Sequence, residues 1–303
     1  MKRVLLSIIF LSAALLTGCQ KELSDKDGEL VPIVLSTQVN AESKAPVVPG
    51  SGTFTPAIVA WEATQGSVIF SEPIKWQIAK TIDLSASNNI STGKYYHSSP
   101  DYYTTLIGFH PASDQKITNG KVSFAPDKET DVMTTDSATG NKETSGPLAL
   151  QFHHRTSQVY FSVVTDEADY DNSISRLEIV DTYLPNGIDF TQDGFPLTVE
   201  NVEYLQVKDG EQAITTIPAD YGNPVMIMPF DNNTFKINVK TTAKQYENIQ
   251  VKLDTGLSPD NKMMEGVAYH VTLTFRKPTA GMGIFVNVAI DAWQEGTGSA
   301  ILQ

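Results

Sequence analysis

The sequence predicts an all-β protein built of two antiparallel β-sandwich domains. Apolar residues recur with period two in several segments, and Asn-Gly or Asp-Gly dipeptides punctuate them. No long amphipathic helix interrupts the pattern. At 303 residues the chain has room for two domains of ordinary size.

The chain begins with Lys2 and Arg3, then an apolar run from Val4 to Leu16, then Leu16-Thr17-Gly18-Cys19. This order reads as a secretory signal over 1-18 with a lipoprotein-type cleavage site, so the mature chain is expected to start at Cys19. The apolar run is shorter than the ~20 residues a spanning helix needs. Acylation of the Cys19 sulfur and of the freed amine would attach the protein to outer-membrane lipid, because several chains hold where one does not. Cys19 is the only cysteine, so no internal disulfide is available and packed cores must supply stability. Residues 19-29 are polar and charged, as suits a tether.

Beyond the tether, Leu148, Leu150 and Phe152 alternate with polar or small residues, as do Val159, Phe161 and Val163. The same alternation recurs in Phe235, Ile237 and Val239, in Val271, Leu273 and Phe275, and from Ile284 to Ile290. These read as half-buried strands. Asn119-Gly120, Asn186-Gly187, Asp193-Gly194, Asp209-Gly210 and Asp231-Asn232-Asn233 read as the tight turns between them. Thr242 to Ile249 is the one stretch expected to form a helical turn or two. The acidic span Thr165 to Ser173 is the best linker, which divides the chain near residue 168 into domains 30-168 and 169-303.

Net charge is -13, and loss of Lys2 and Arg3 with the signal takes it to -15. Such a surface repels phosphate backbones, and no basic cluster offsets it, which excludes nucleic acid as a partner. His153 and His154 are neighbours on a strand and point to opposite faces, so they cannot share a metal ion. His97, His110 and His270 lack ligand spacing. No nucleophile elbow, zinc-binding helix or phosphate-cradling loop is present. Acidic residues are numerous enough for a glycosidase-type pair, but they fall mostly in turns, where solvation explains them. The expectation is a non-enzyme with no catalytic residue, metal or cofactor.

The aromatic stretch Trp61, Phe70, Trp76, Tyr95, Tyr96, Tyr102, Tyr103 and Phe109 reads first as core. Paired tyrosines alternate faces, so part of the set is exposed. Tyr96 and Tyr103 are the candidates for stacking on a sugar ring.

Several local patterns, in order along the chain, resemble the fimbrillin family of Bacteroides-type lipoprotein-precursor pilus subunits. They are the lipoprotein signal, the strand Leu30 to Val39, and the loop Glu42-Ser43-Lys44-Ala45-Pro46. Thr104 to Pro111, Asp131-Val132-Met133, Pro147 to Val159 with its Leu-x-Phe-x-His core, and the close from Tyr269 to Trp293 follow. The resemblance implies two transthyretin-like sandwiches with Greek-key-like connections. It also implies a lipidated precursor whose first strand, Leu30 to Val39, is released by a trypsin-like protease and replaced by a strand from another subunit. On that reading Ile33, Leu35 and Thr37 share one face of the first strand, and the cut falls between Lys44 and Ala45. Two segments stay open as the donor, Ile284 to Ile290 and Ser299 to Gln303. The implied function is a structural or tip subunit of a fimbrium at the outer membrane. Its partners are other pilus subunits and, for a tip, a host or bacterial surface glycan or protein. The alternative is a surface lipoprotein that binds glycan through Tyr96 and Tyr103 and does not polymerise.

Overall fold

The computed structural model describes residues 30–39, 52–64, 68–83, 89–112, 116–144, 146–253, 260–277 and 283–291. Among these residues the regular structure is all strand. The first half holds β1 (Pro32–Val39), β2 (Thr53–Phe54), β3 (Ala57–Thr64), β4 (Trp76–Ala79), β5 (Ile82–Asp83) and β6 (Asn89–Tyr95). It continues with β7 (Tyr102–His110), β8 (Lys121–Ser123), β9 (Met133–Thr135), β10 (Ala138–Gly140) and β11 (Leu148–His154). The second half holds β12 (Ser157–Thr165), β13 (Ser173–Asp189), β14 (Leu197–Ala213), β15 (Ala219–Asp220) and β16 (Val225–Ile227). It ends with β17 (Thr234–Thr241), β18 (Gln245–Lys252), β19 (Ala268–Phe275) and β20 (Ile284–Asp291).

The first sheet runs β4-β3-β7-β9-β11-β1-β6, with β10 added on β7. Ile58 and Ala60 of β3, Leu106 of β7, Phe152 of β11, and Ile33 and Leu35 of β1 all enter one core, so the sheet folds over and closes a sandwich on itself. Two further sheets, β15-β12-β19-β20 and β14-β13-β17-β18, face each other across the largest core, which includes Phe161, Ile179, Ile237, Tyr269 and Leu273. A third core joins the halves. Trp61 and Phe109 from the outer face of the first sheet pack with Val122 of β8, Ile188 of β13 and Phe190. β8 belongs to the first half of the chain but pairs with β13, from Gly187↔Ser123 to Asp189↔Lys121.

Among the described residues pairing is antiparallel with two exceptions, β1 with β11 and β12 with β19. The long parallel match of β12 to β19, Gln158↔Ala268 to Thr165↔Phe275, places β12 in the second strand set. The chain therefore changes sets at Arg155 and Thr156, ahead of the acidic span that suggests a break near 168. The acidic span is bonded to the residues just past β19. Arg276 donates to Asp166 at 2.6 Å, Lys277 pairs with Asp169, and the Lys277 amide donates to Glu167 Oε1 at 2.9 Å.

Two of the expected turns lie inside strands. Asn186-Gly187 sits within β13 and Asp209-Gly210 within β14, each at a shift of register between the two strands. A Cβ on Gly187 would stand 2.4 Å from the Val122 carbonyl oxygen, so glycine is required there by the approach of β8 rather than by a turn. Gly194 and Gly120 do occupy turns with positive φ. Thr242 to Ile249 forms no helix, because β18 returns along β17 from Lys240↔Gln245 to Thr234↔Lys252.

Candidate strand-exchange site

β1 is Pro-Ile-Val-Leu-Ser-Thr-Gln-Val, rich in β-branched residues, with its proline at the first position, where no ladder donor is needed. Its alternation puts Ile33, Leu35 and Thr37 inside, at 0%, 0% and 5% exposure, while Pro32 and Gln38 face out. The strand is inlaid rather than added at an edge. On one side it pairs in parallel with β11, Leu35↔Leu148 to Val39↔Phe152. On the other it runs antiparallel to β6, Pro32↔Tyr95 to Ser36↔Asn89. Two further bonds fasten it. Thr92 Oγ1 donates to the Ile33 carbonyl at 2.8 Å, and the Tyr96 amide donates to the Val31 carbonyl at 3.0 Å. Burial of Ile33 and Leu35 stabilises by about 1.5–3 kcal/mol for each side chain. Without β1 the edges of β11 and β6 would face an apolar trough with their ladder groups unpaired.

β20, the first donor candidate, is seated in its own fold. It pairs antiparallel with β19, from Phe275↔Ile284 to Ala268↔Asp291, at the end of that sheet. Cys19, Lys44, Ala45 and the second donor candidate, Ser299 to Gln303, lie outside the described residues.

The two tyrosines picked as ligand contacts are not the exposed ones. Tyr96 is 6% exposed within the core of the first sandwich, and its hydroxyl would lie 3.0 Å from a Cβ on Gly140. Burial pushes its phenol pKa up. Tyr103 is half-buried opposite Ala63. Tyr95 and Tyr102 point outward instead, at 49% and 38%, and the Tyr102 ring stacks on His97 with centroids 4.1 Å apart. The alternation holds and its phase is opposite. β6 turns the Tyr96 side toward the core, and alternation alone does not say which side that is.

The histidines serve packing and hydrogen bonding. His154 Nδ1 meets Asp131 Oδ2 at 2.7 Å with both side chains almost wholly buried, so the Asp131-Val132-Met133 and Leu-x-Phe-x-His segments touch in space. His110 Nδ1 donates to the Asp131 carbonyl at 2.7 Å. Burial is the main cause that lowers the His110 pKa; the Asp131 hydrogen bond and charge act against it, and the His154 charge acts with it. Sequence reasoning also passed over Arg155. Its guanidinium donates to Thr134 Oγ1, to the Gly194 carbonyl and to Glu265, at 2.9, 3.0 and 3.0 Å. His270 accepts or donates at Ser162 Oγ, 2.8 Å away, and stacks on Tyr160. Among the described residues no group of three or more His, Cys, Asp or Glu is arranged to hold a metal ion.

A family model described as fimbrillin-like matches residues 48–293, and the chain belongs to that family, whose fimbrial character implies a cell-surface fimbrium. Among solved structures, a candidate cell adhesion protein from Bacteroides ovatus is 12% identical, with 88% of this chain and 99% of that one covered and a TM-score of 0.52. A candidate cell adhesion protein from Bacteroides uniformis is 13% identical, with 87% and 99% covered and a TM-score of 0.50. A fimbrial protein from Bacteroides vulgatus is 13% identical, with 86% and 99% covered and a TM-score of 0.42. At such identity the first two likenesses are of fold alone. No curated protein matches the chain.

Proposed function

We propose that this chain is a fimbrial subunit, stalk or tip, exported as a lipoprotein through Cys19 and polymerised at the outer membrane by strand exchange. Its two strand sets are read as two sandwich domains divided at residues 155–156. A protease cuts between Lys44 and Ala45, β1 leaves, and a strand from another subunit takes its place. The observation that carries the reading is the position of β1, the first strand among the described residues, inlaid between β11 and β6. The vacated trough is unstable until a donor restores both ladder bonds and apolar burial. Such a contact is heterologous and does not close, so it propagates a filament.

The test is intact mass of the lipidated protein before and after limited treatment with a Lys-specific protease. A chain starting at Ala45 that then forms oligomers supports the reading. A chain starting at Cys19 that resists cutting and stays monomeric sinks polymerisation and leaves an anchor or free-standing lipoprotein.

A second reading, glycan binding, is favoured by the exposed Tyr95 and the Tyr102 ring stacked on His97. It predicts that Tyr102→Ala abolishes binding to a glycan array while leaving the fold intact. Binding that survives in Tyr95→Ala/Tyr102→Ala removes this reading.

A further inference from the structure

In the second strand set β14 lies at one end of its sheet, and among the described residues β13 is its one strand partner. Within it Val202 to Val207 reads Val-Glu-Tyr-Leu-Gln-Val, rich in β-formers, with one charge and neither proline nor glycine. Segments of that composition pair with copies of themselves when their edge is open. Tyr204, 52% exposed, adds apolar surface beside the edge. Proteins that stay apart keep such edges short, charged or covered.

Here a cover comes from the other half of the chain. Lys128 Nζ donates to the Gln206 carbonyl at 2.6 Å and to the Val207 carbonyl at 3.2 Å. The Lys128 carbonyl accepts from the Met226 amide at 2.6 Å, and Met226 lies in β16, on the facing sheet. One residue of the first half thus spans the margin between the two sheets of the second. An ammonium on two carbonyls of β14 also takes acceptors that an incoming strand would need. The segment that carries Lys128 is held in shape. Asp127 Oδ1 accepts from the Glu129 amide at 2.9 Å and Asp127 Oδ2 from Thr130 Oγ1 at 2.7 Å, which bends the chain around Lys128. Both ends are tied down as well. The Phe124 amide, just past β8, donates to the Asn186 carbonyl at 2.9 Å, and Asp131 meets the buried His154. Farther along the same margin the second set bridges itself, from Gln212 Nε2 to the Asp220 carbonyl and from the Tyr221 hydroxyl to the Gly210 carbonyl, each at 3.0 Å.

We propose that residues 124–131 guard the β14 edge. With Lys128 in place the Val202–Val207 segment is closed to other chains, and with Lys128 withdrawn it pairs with the same segment of a second copy. The guard is an autoinhibitory contact. It involves neither β1 nor the slot between β11 and β6, so it stands apart from the strand exchange proposed above.

The test uses the unlipidated mature chain with β1 retained and reads self-association by sedimentation velocity. Wild type is expected to stay monomeric. Lys128→Ala should associate at a concentration roughly tenfold or more below any at which wild type does, as fits loss of hydrogen bonds from a charged donor. Lys128→Arg keeps a charged donor at the edge and should stay monomeric. Adding Gln206→Lys to Lys128→Ala should restore the monomer, because a charge on a strand edge opposes pairing. Should Lys128→Ala fold poorly, Asp127→Ala opens the turn without touching Lys128 or β14 and is expected to associate too. Wild type that associates as strongly as Lys128→Ala, absence of association in both Lys128→Ala and Asp127→Ala, Lys128→Arg that behaves like Lys128→Ala, or association that Gln206→Lys leaves unchanged would each overturn the proposal. The protease experiment on trimmed protein fails or succeeds independently.

Discussion

Asp131 and His154 share a nearly dry site with His110, and the three close the junction of β7, β9 and β11. The lowered pKa of His110 fixes the sign of its pH effect. The folded state disfavours the charged ring, so the stabilisation is complete above the usual value of 6.5 and is lost as pH falls through the lowered folded value. Urea unfolding from about pH 7 down to about pH 5 should therefore show wild type losing stability faster than His110→Gln, by at most about 1.4 kcal/mol per pH unit. Parallel curves would place the acid sensitivity elsewhere. The tyrosines give a second residue-scale outcome. Tyr96→Ala should cost about 3 kcal/mol, as loss of a buried aromatic does, whereas Tyr95→Ala should stay within about 0.5 kcal/mol. Thermal melts separate the two. The sequence showed that one tyrosine of each pair faces out, since period two requires it. Which one does so is set by the faces of β6 and β7 that meet the core, and that depends on strands far away in the chain.

At the scale of elements, the alternating segments 148–152, 159–163, 235–239, 271–275 and 284–290 all lie in strands, because half-buried strands carry their pattern locally. The failures share one cause. Asn186-Gly187 has the composition of a turn, yet it lies inside β13 because β8 arrives from another part of the chain and leaves no room for a side chain. β18 likewise depends on β17 for its ladder, which no local signal in Thr242 to Ile249 announces. Gly187→Ala brings a Cβ within 2.4 Å of the Val122 oxygen and 2.6 Å of Thr198 Oγ1, so β8 must shift. The expected cost is about 1–3 kcal/mol, read as a lower urea midpoint. An unchanged midpoint would mean that β8 moves freely and does not hold the halves together. For the candidate strand-exchange site, the burial phase of β1 was legible in Ile33, Leu35 and Thr37, but its place between β11 and β6 was not. Pairing order is a property of the whole sheet.

For the whole molecule, the question is whether the two strand sets behave as one body. The chain passes between them at Arg155 and Thr156 and also on either side of β8, and side chains tie them as well. Arg155 ties Thr134 of β9 to the Gly194 turn and to Glu265. The third core sets Trp61 and Phe109 of the first sheet against Phe190, just past the end of β13, with ring centroids 5.8 and 5.7 Å apart. Phe195 completes the aromatic group, 5.7 Å from Phe190 and 5.5 Å from Phe70. Phe190 is fully buried, so its loss leaves a cavity that neither half can fill alone. Phe190→Ala should lower stability by about 3–5 kcal/mol. Because the cavity lies between the halves, calorimetry of the variant should split a single transition into two, whereas a lesion inside either sandwich would shift one transition and leave the other. A single, merely displaced transition in Phe190→Ala would show that the coupling runs through Arg155 and the chain crossing, and Arg155→Ala would then be the variant that separates the halves.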